Sequence, residues 1–205
     1  MSSTTRYINP DYWVEIERGR VFEAAMYYLP SSTSRPLRIV RRVGKSNVSI
    51  TLEKMRDFSP SYANGRPVAK VHKVAVDIKP RKVIVLSNNE VNQSKEWEYI
   101  MVAPIFTIKL DDERKPHYPL IIKDEHPFFA YLPKQTSRGI LKRYVDISQV
   151  VSIHKSMLLQ KTSEIISADR MELIEDLLIE FLNLGYDLSG KNEPIEDEGV
   201  EPTGS

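Results

Sequence analysis

The chain contains no cysteine. That excludes disulfides, thiolate nucleophiles and Cys-ligated zinc together, and it fits a cytosolic protein. No apolar run approaches the roughly 18 residues that a membrane helix needs, so no membrane partner is expected. The opening Met1-Ser2-Ser3-Thr4-Thr5 lacks the apolar core of a secretory signal. No internal repeat is present. His72, His117, His126 and His154 are scattered and lack metal-ligand spacing. No metal and no cofactor are therefore expected, and surface or loop placement is the simpler reading of these histidines. Val43-Gly44-Lys45-Ser46 echoes the end of a phosphate-binding loop, but the earlier glycine is missing at the required spacing. Asp111-Asp112-Glu113 stands beside Arg114-Lys115, which favours a solvated loop over a metal site.

What is present is a sizeable apolar content and an uneven charge. The 205 residues are 41% hydrophobic, enough to bury a core. The net charge of +1 hides a gradient: +7 over residues 1–80, +3 over 81–160 and −9 over 161–205. A basic body with an acidic end suggests a polyanion partner or a self-covering tail; two solvated faces are the plainer alternative. Arg35, Arg38, Arg41, Arg42 and Lys45, with no acid among residues 35–45, form the best candidate for a phosphate-tracking patch. The alternative is an edge strand kept soluble by charge.

Residues 1–18 read as an irregular arm that Tyr7, Ile8, Tyr12 and Trp13 pin to a surface. Gly19 opens an apolar strand over Val21–Leu29, closed by Pro30-Ser31-Ser32. Leu37–Val43 and Val48–Leu52 are β-like pieces between turn signals at Gly44, Ser46-Asn47 and Asn64-Gly65. Val68–Ile78 is expected as a further strand. Val83–Leu86 and Glu98–Ala103 are the clearest strands; Leu120–Ile122 and Tyr144–Ile153 are further candidates. Residues 108–119 and 125–143 read as loop. One helix is expected from about Ser167, with Met171, Ile174, Leu177, Leu178, Phe181 and Leu182 on one face. Ser167 is its expected N-cap and Gly185 its expected C-terminal glycine. Residues 189–205 are Gly/Pro/acid-rich and predict a disordered tail. The sum is an α+β, mainly β domain closed by a C-terminal helix.

Four stretches carry a resemblance when read in order. They are Gly19-Arg20-Val21-Phe22, Arg81-Lys82-Val83-Ile84-Val85-Leu86-Ser87-Asn88, Val102-Ala103-Pro104-Ile105, and Gln149–Leu158 ahead of the helix. In order and spacing they resemble PemK/MazF-like toxins over roughly residues 81–185. Lys82 stands where that family usually has proline, and His154 where it often has Asp. The resemblance implies an SH3-like barrel over residues 19–185, with a long insertion at 30–75 and a terminal helix at 167–184. It also implies a metal-independent endoribonuclease acting on single-stranded RNA, a homodimer, and a cognate antitoxin partner.

Cleaving RNA without a metal requires the 2′-hydroxyl to attack the adjacent phosphate. The protein must stabilise added negative charge and move two protons. A guanidinium does the first task well, and a nearby hydroxyl can donate to the developing oxyanion. The resemblance makes Arg81 the catalytic arginine and a hydroxyl after the Pro-Ile strand its companion. That position falls on Phe106, with Thr107 one residue late. Successive strand side chains point to opposite faces, so Thr107 faces Arg81 only if a bulge re-aims it. Otherwise Phe106 stacks a base, worth roughly 1–3 kcal/mol, or belongs to the core. The expected catalytic residues are Arg81 and Thr107. Lys82, Ser87, Asn88 and Phe106 join the arginine patch as expected RNA contacts. Two further readings stay open: a catalytically inactive barrel that binds nucleic acid or protein in a bacterial or phage assembly, and a structural subunit with no nucleic-acid role. The acidic segment Glu193–Glu201 suggests a tail that covers the chain's own basic surface.

Overall fold

The computed structural model describes residues 6–28, 37–43, 47–53, 60–69 and 73–184, with the backbone alone at 28, 37–43 and 47–53. The N-terminal arm forms two 3-10 turns, Arg6–Ile8 and Pro10–Glu15. Strand β1 (Arg20–Tyr28) follows, then β2 (Leu37–Val43) and β3 (Asn47–Glu53), then the short β4 (Ser61–Ala63), β5 (Arg66–Val68) and β6 (Val74–Ala75). Strand β7 (Asp77–Val85) leads through helix α1 (Asn89–Gln93) to β8 (Tyr99–Thr107). Helix α2 (Tyr118–Ile122) precedes β9 (Phe129–Tyr131), β10 (Lys134–Thr136), β11 (Gly139–Leu141) and β12 (Arg143–Asp146). Strands β13 (Val151–His154) and β14 (Leu158–Ile165) end at helix α3 (Ala168–Phe181).

Seven of these strands form one antiparallel sheet in the order β14-β1-β7-β8-β12-β9, with β13 also paired to β8. Strands β3, β2 and β6 form a separate three-stranded sheet, and β4–β5 and β10–β11 are hairpins. The chain is thus mainly β, with a C-terminal helix. The Asn64-Gly65 signal is the β4–β5 turn, with both residues at positive φ as a tight hairpin turn requires. Among the described residues no helix is long and apolar enough to cross a membrane.

Each face of the large sheet carries its own core. On one face Phe22, Ala24, Val83, Val85, Ile100 and Val102 pack beneath Tyr7, Trp13 and Ile16 of the arm. On the other, Val21, Ile84, Ala103, Ile105 and Val145 pack beneath Met171, Ile174 and Leu177 of α3. The parity of each strand assigns its residues to one core or the other. Tyr7 and Trp13 pin the arm as expected, whereas Ile8 and Tyr12 are exposed. Gly19 sits at φ +75, left-handed backbone that favours glycine, where its N–H donates to Val85 and its carbonyl accepts from Ile166. It thereby joins β1 to both β7 and the start of α3.

Several expectations change. Leu120–Ile122 is part of a helical turn, because Pro119 supplies the fixed φ that suits a first turn. Tyr144–Ile153 is broken at 147–149, where Asp146 accepts from the Ser148 N–H at 3.0 Å and the Gln149 amide at 2.7 Å. Residues 125–143 contain three short strands: β9 pairs with β12 of the large sheet, and β10 and β11 form a local hairpin. The 68–78 stretch divides among β5, β6 and the start of β7. Ser167 holds the N-cap position of α3 but makes no side-chain cap. Gly185, His72 and the acidic tail lie outside the described residues.

Candidate active site

The site arises where two neighbouring strands part. Strands β7 and β8 pair only at Val83–Pro104, Ile84–Ala103 and Val85–Val102. Pro104 has no N–H to continue a ladder. It also marks the point where the other partner of β8 changes, from β13 up to Val102 to β12 from Ile105. Beyond it β7 follows β1 and β8 follows β12. The splay opens a cleft of about 460 Å³ between Pro80-Arg81-Lys82 and Ile105-Phe106-Thr107, with Lys109, Asp112, Leu141, Arg143 and Tyr144 completing its wall.

Parity decides what faces what. Arg81 shares a face with Val83, and Phe106 with Pro104, so continuing the register sets Arg81 abreast of Phe106. The Arg81 guanidinium carbon lies 5.2 Å from the Phe106 ring centroid. Tyr144 pairs with Phe106 across β12 and stacks on it at 5.5 Å with 20° between the planes. The row continues through Phe129, 4.7 Å from Tyr144, to His126, which stacks on Phe129 at 4.1 Å. Guanidinium and rings thus run side by side across the sheet. Phe106 is half-buried, lying between Arg81 and Tyr144.

Lys82, Thr107 and Arg143 belong to the opposite face. Strand β8 keeps unbroken register with β7 up to Pro104 and with β12 from Ile105 through Thr107, and no bulge in either run turns the Thr107 hydroxyl toward Arg81. Thr107 is exposed at the cleft rim, opposite Arg143. Arg143 is buried and already committed: its guanidinium donates to Glu164 at 2.5 and 3.2 Å and to the Leu132 carbonyl at 3.2 Å.

The site's electrostatics follow from these neighbours. Burial raises the Tyr144 phenol above its ordinary range; Asp146 and Asp112 act in the same direction and Arg81 against it. Asp112 is held below the usual carboxylate range by the Lys115 amine at 2.6 Å and by the Lys109 N–H at 2.9 Å. Burial lowers His126, and His117 adds to the shift. Among the described residues no group of three or more His, Cys, Asp or Glu is arranged to hold a metal ion.

The other expected RNA contacts fall elsewhere. Ser87 accepts the Met101 N–H at 2.6 Å, and Asn88 caps α1 by accepting the Val91 N–H at 2.9 Å. Both are beyond the paired end of β7, outside the cleft wall. Arg38, Arg41 and Arg42 belong to β2 of the three-stranded sheet, while Arg35 and Lys45 lie outside the described residues. Lys109, Asp112, Arg143 and Tyr144 were not singled out as site residues from sequence. They reach the cleft through strand pairing and loop return, which no local motif signals. A second cavity, about 310 Å³, lies beside α3, but its two arginines are engaged with Glu164 and Asp124.

A family model described as PemK-like, MazF-like toxin of type II toxin-antitoxin system matches residues 68–182. That span contains β7, β8, β12 and the whole cleft wall. No curated protein matches the chain.

Proposed function

Because the chain belongs to the PemK-like, MazF-like toxins of type II toxin-antitoxin systems, we propose that it is an endoribonuclease that cuts single-stranded RNA without a metal ion. The observation that carries this reading is the cleft between the parted ends of β7 and β8, where Arg81 is seated over Phe106. A phosphate resting there meets planar guanidinium donors suited to two of its oxygens. Lys109, which also lines the cleft, attracts a neighbouring phosphate, and Lys82 adds positive charge from the other face of β7 at the cleft edge. The same reading makes the seven-stranded sheet an SH3-like barrel, the toxin a cytoplasmic homodimer, and an antitoxin's acidic segment the natural cover of the cleft.

The test is incubation of the purified full chain with a long single-stranded RNA in EDTA, beside Arg81→Ala. Cleavage by the wild type, with a loss of about 100-fold or more in the variant, is expected for a residue that stabilises transition-state charge. A second reading, a barrel that binds RNA without cutting it, draws support from Phe106 at the expected hydroxyl position and Thr107 on the far face. Salt-sensitive RNA retention without cleavage would select it.

A further inference from the structure

Transesterification at a 2′-hydroxyl needs a proton for the departing 5′-oxygen, and the cleft narrows the choice of donor. Thr107 lies on the face opposite Arg81. Both carboxylate oxygens of Asp112 accept hydrogen bonds, from Lys115 and from the Lys109 N–H. His126 is stacked on Phe129, with Phe129 and Tyr144 between it and Phe106. Tyr144 is different. It stands directly opposite Phe106 in the β8–β12 pairing, its ring orientation is set by the stack, and it lines the same wall as Arg81. Among the described residues its hydroxyl makes no hydrogen bond to the protein, whereas the nearby Tyr118 hydroxyl accepts from Lys142 at 2.9 Å. Arg81 and Tyr144 thus stand on either side of Phe106 across the sheet, and both line the cleft.

We propose that Tyr144 is the proton donor to the leaving 5′-oxygen, an inference that rests on the endoribonuclease reading above. The 2′-oxygen bonds to phosphorus and releases its proton to water. The P–O5′ bond breaks, and its electron pair takes the Tyr144 proton. A 2′,3′-cyclic phosphate and a 5′-hydroxyl result, and the phenolate recovers its proton from solvent. A phenol is protonated at neutral pH without help; burial makes this one harder to ionise, and the Arg81 charge opposes that by favouring the phenolate.

Tyr144→Phe keeps the stacked ring and removes only the hydroxyl. Single-turnover cleavage in EDTA should fall by about 100-fold or more, with RNA retention unchanged. On an RNA carrying sulfur at the 5′-bridging position, whose thiolate leaves without a proton, wild type and Tyr144→Phe should cleave at matching rates. Tyr144→Phe cutting ordinary RNA at the wild-type rate would overturn the inference, and so would equal slowing on both substrates. In either case the endoribonuclease reading would stand, provided Arg81→Ala is inactive. A wild type that retains RNA but cuts neither substrate would overturn both.

Discussion

Lys155 shows how one side chain sets a condition on the whole fold. It is buried, and its ammonium donates to the carbonyls of Val91 and Ser94, each at 2.8 Å, with the Trp13 ring centroid 4.4 Å away. Burial lowers it to about 8. Below that pH both the folded and the unfolded chain hold the proton, and folding carries the full cost of burying charge. Above it the folded chain loses the proton first, while the unfolded chain keeps it to about 10.5. The contribution of Lys155 to stability therefore rises with pH across that window. A gain on the order of 1–2 kcal/mol is expected, moderated because the Trp13 face favours the ammonium. Urea unfolding at pH 7.5 and 10 should show the gain in wild type and not in Lys155→Met. An equal change in both would place its origin elsewhere.

At the scale of elements, two ion-pair sets hold strands and helix in register. Arg170 on α3 donates to both oxygens of Asp124 at 2.8 Å and also to the Tyr131 carbonyl, while Asp124 accepts the Tyr131 N–H at 2.8 Å. One helix residue thus clamps the turn that leads into β9. Arg170→Met should destabilise the chain by about 2 kcal/mol, measured by denaturant midpoint. Glu164 on β14 binds Arg143 on β12 and Lys134 on β10, the latter at 2.5 Å. Burial pushes Glu164 upward, but the bonds from Arg143 and Lys134 outweigh it and leave the carboxyl below its ordinary value of 4.5. Its contribution is therefore full above that value and is lost as pH falls through the lower folded one. Glu164→Gln should be less stable than wild type at pH 7, and the difference should shrink between about pH 5 and pH 3. A constant difference over that range would contradict the assignment.

At the scale of the molecule, the sheet has a core on each face, and different ends of the chain cover them. The arm supplies Tyr7, Trp13 and Ile16 to one, and α3 closes the other. The matched span begins at residue 68, yet β1 lies before it and pairs with both β7 and β14. The site rests partly on that strand, because β1 pairs with β7 at Pro80, Arg81 and Lys82, beyond the point where β8 has left it. Trp13→Ala removes a buried ring that also faces Lys155, and should cost about 3–5 kcal/mol. Thermal unfolding reads this directly. A shift of only a degree or two would mean that the arm is an ornament to the fold.

Elements held by local pattern were legible without coordinates. The apolar run of β1, the centres of β7 and β8, and the spaced apolar face of α3 each announce themselves within a few residues, as do the Asn64-Gly65 turn and the strand signatures around Arg81 and Pro104. Elements too short to show a pattern of their own were not. The short strands β9 to β11 have too few residues to show a period, and α2 turns on one proline that also suits a loop. The site divides in the same way. Arg81 and Phe106 belong to recognisable segments, but whether Thr107 faces the arginine depends on the register of β8, and Tyr144 meets Phe106 only because β12 pairs with it. Side-chain periodicity is a property of the local backbone and can be read along the chain; which strand lies alongside is decided by burial across the whole sheet. The sequence by itself determined the longer strands and their family signature, and the tertiary structure alone decided that Arg81 and Tyr144 pack against the same Phe106 ring.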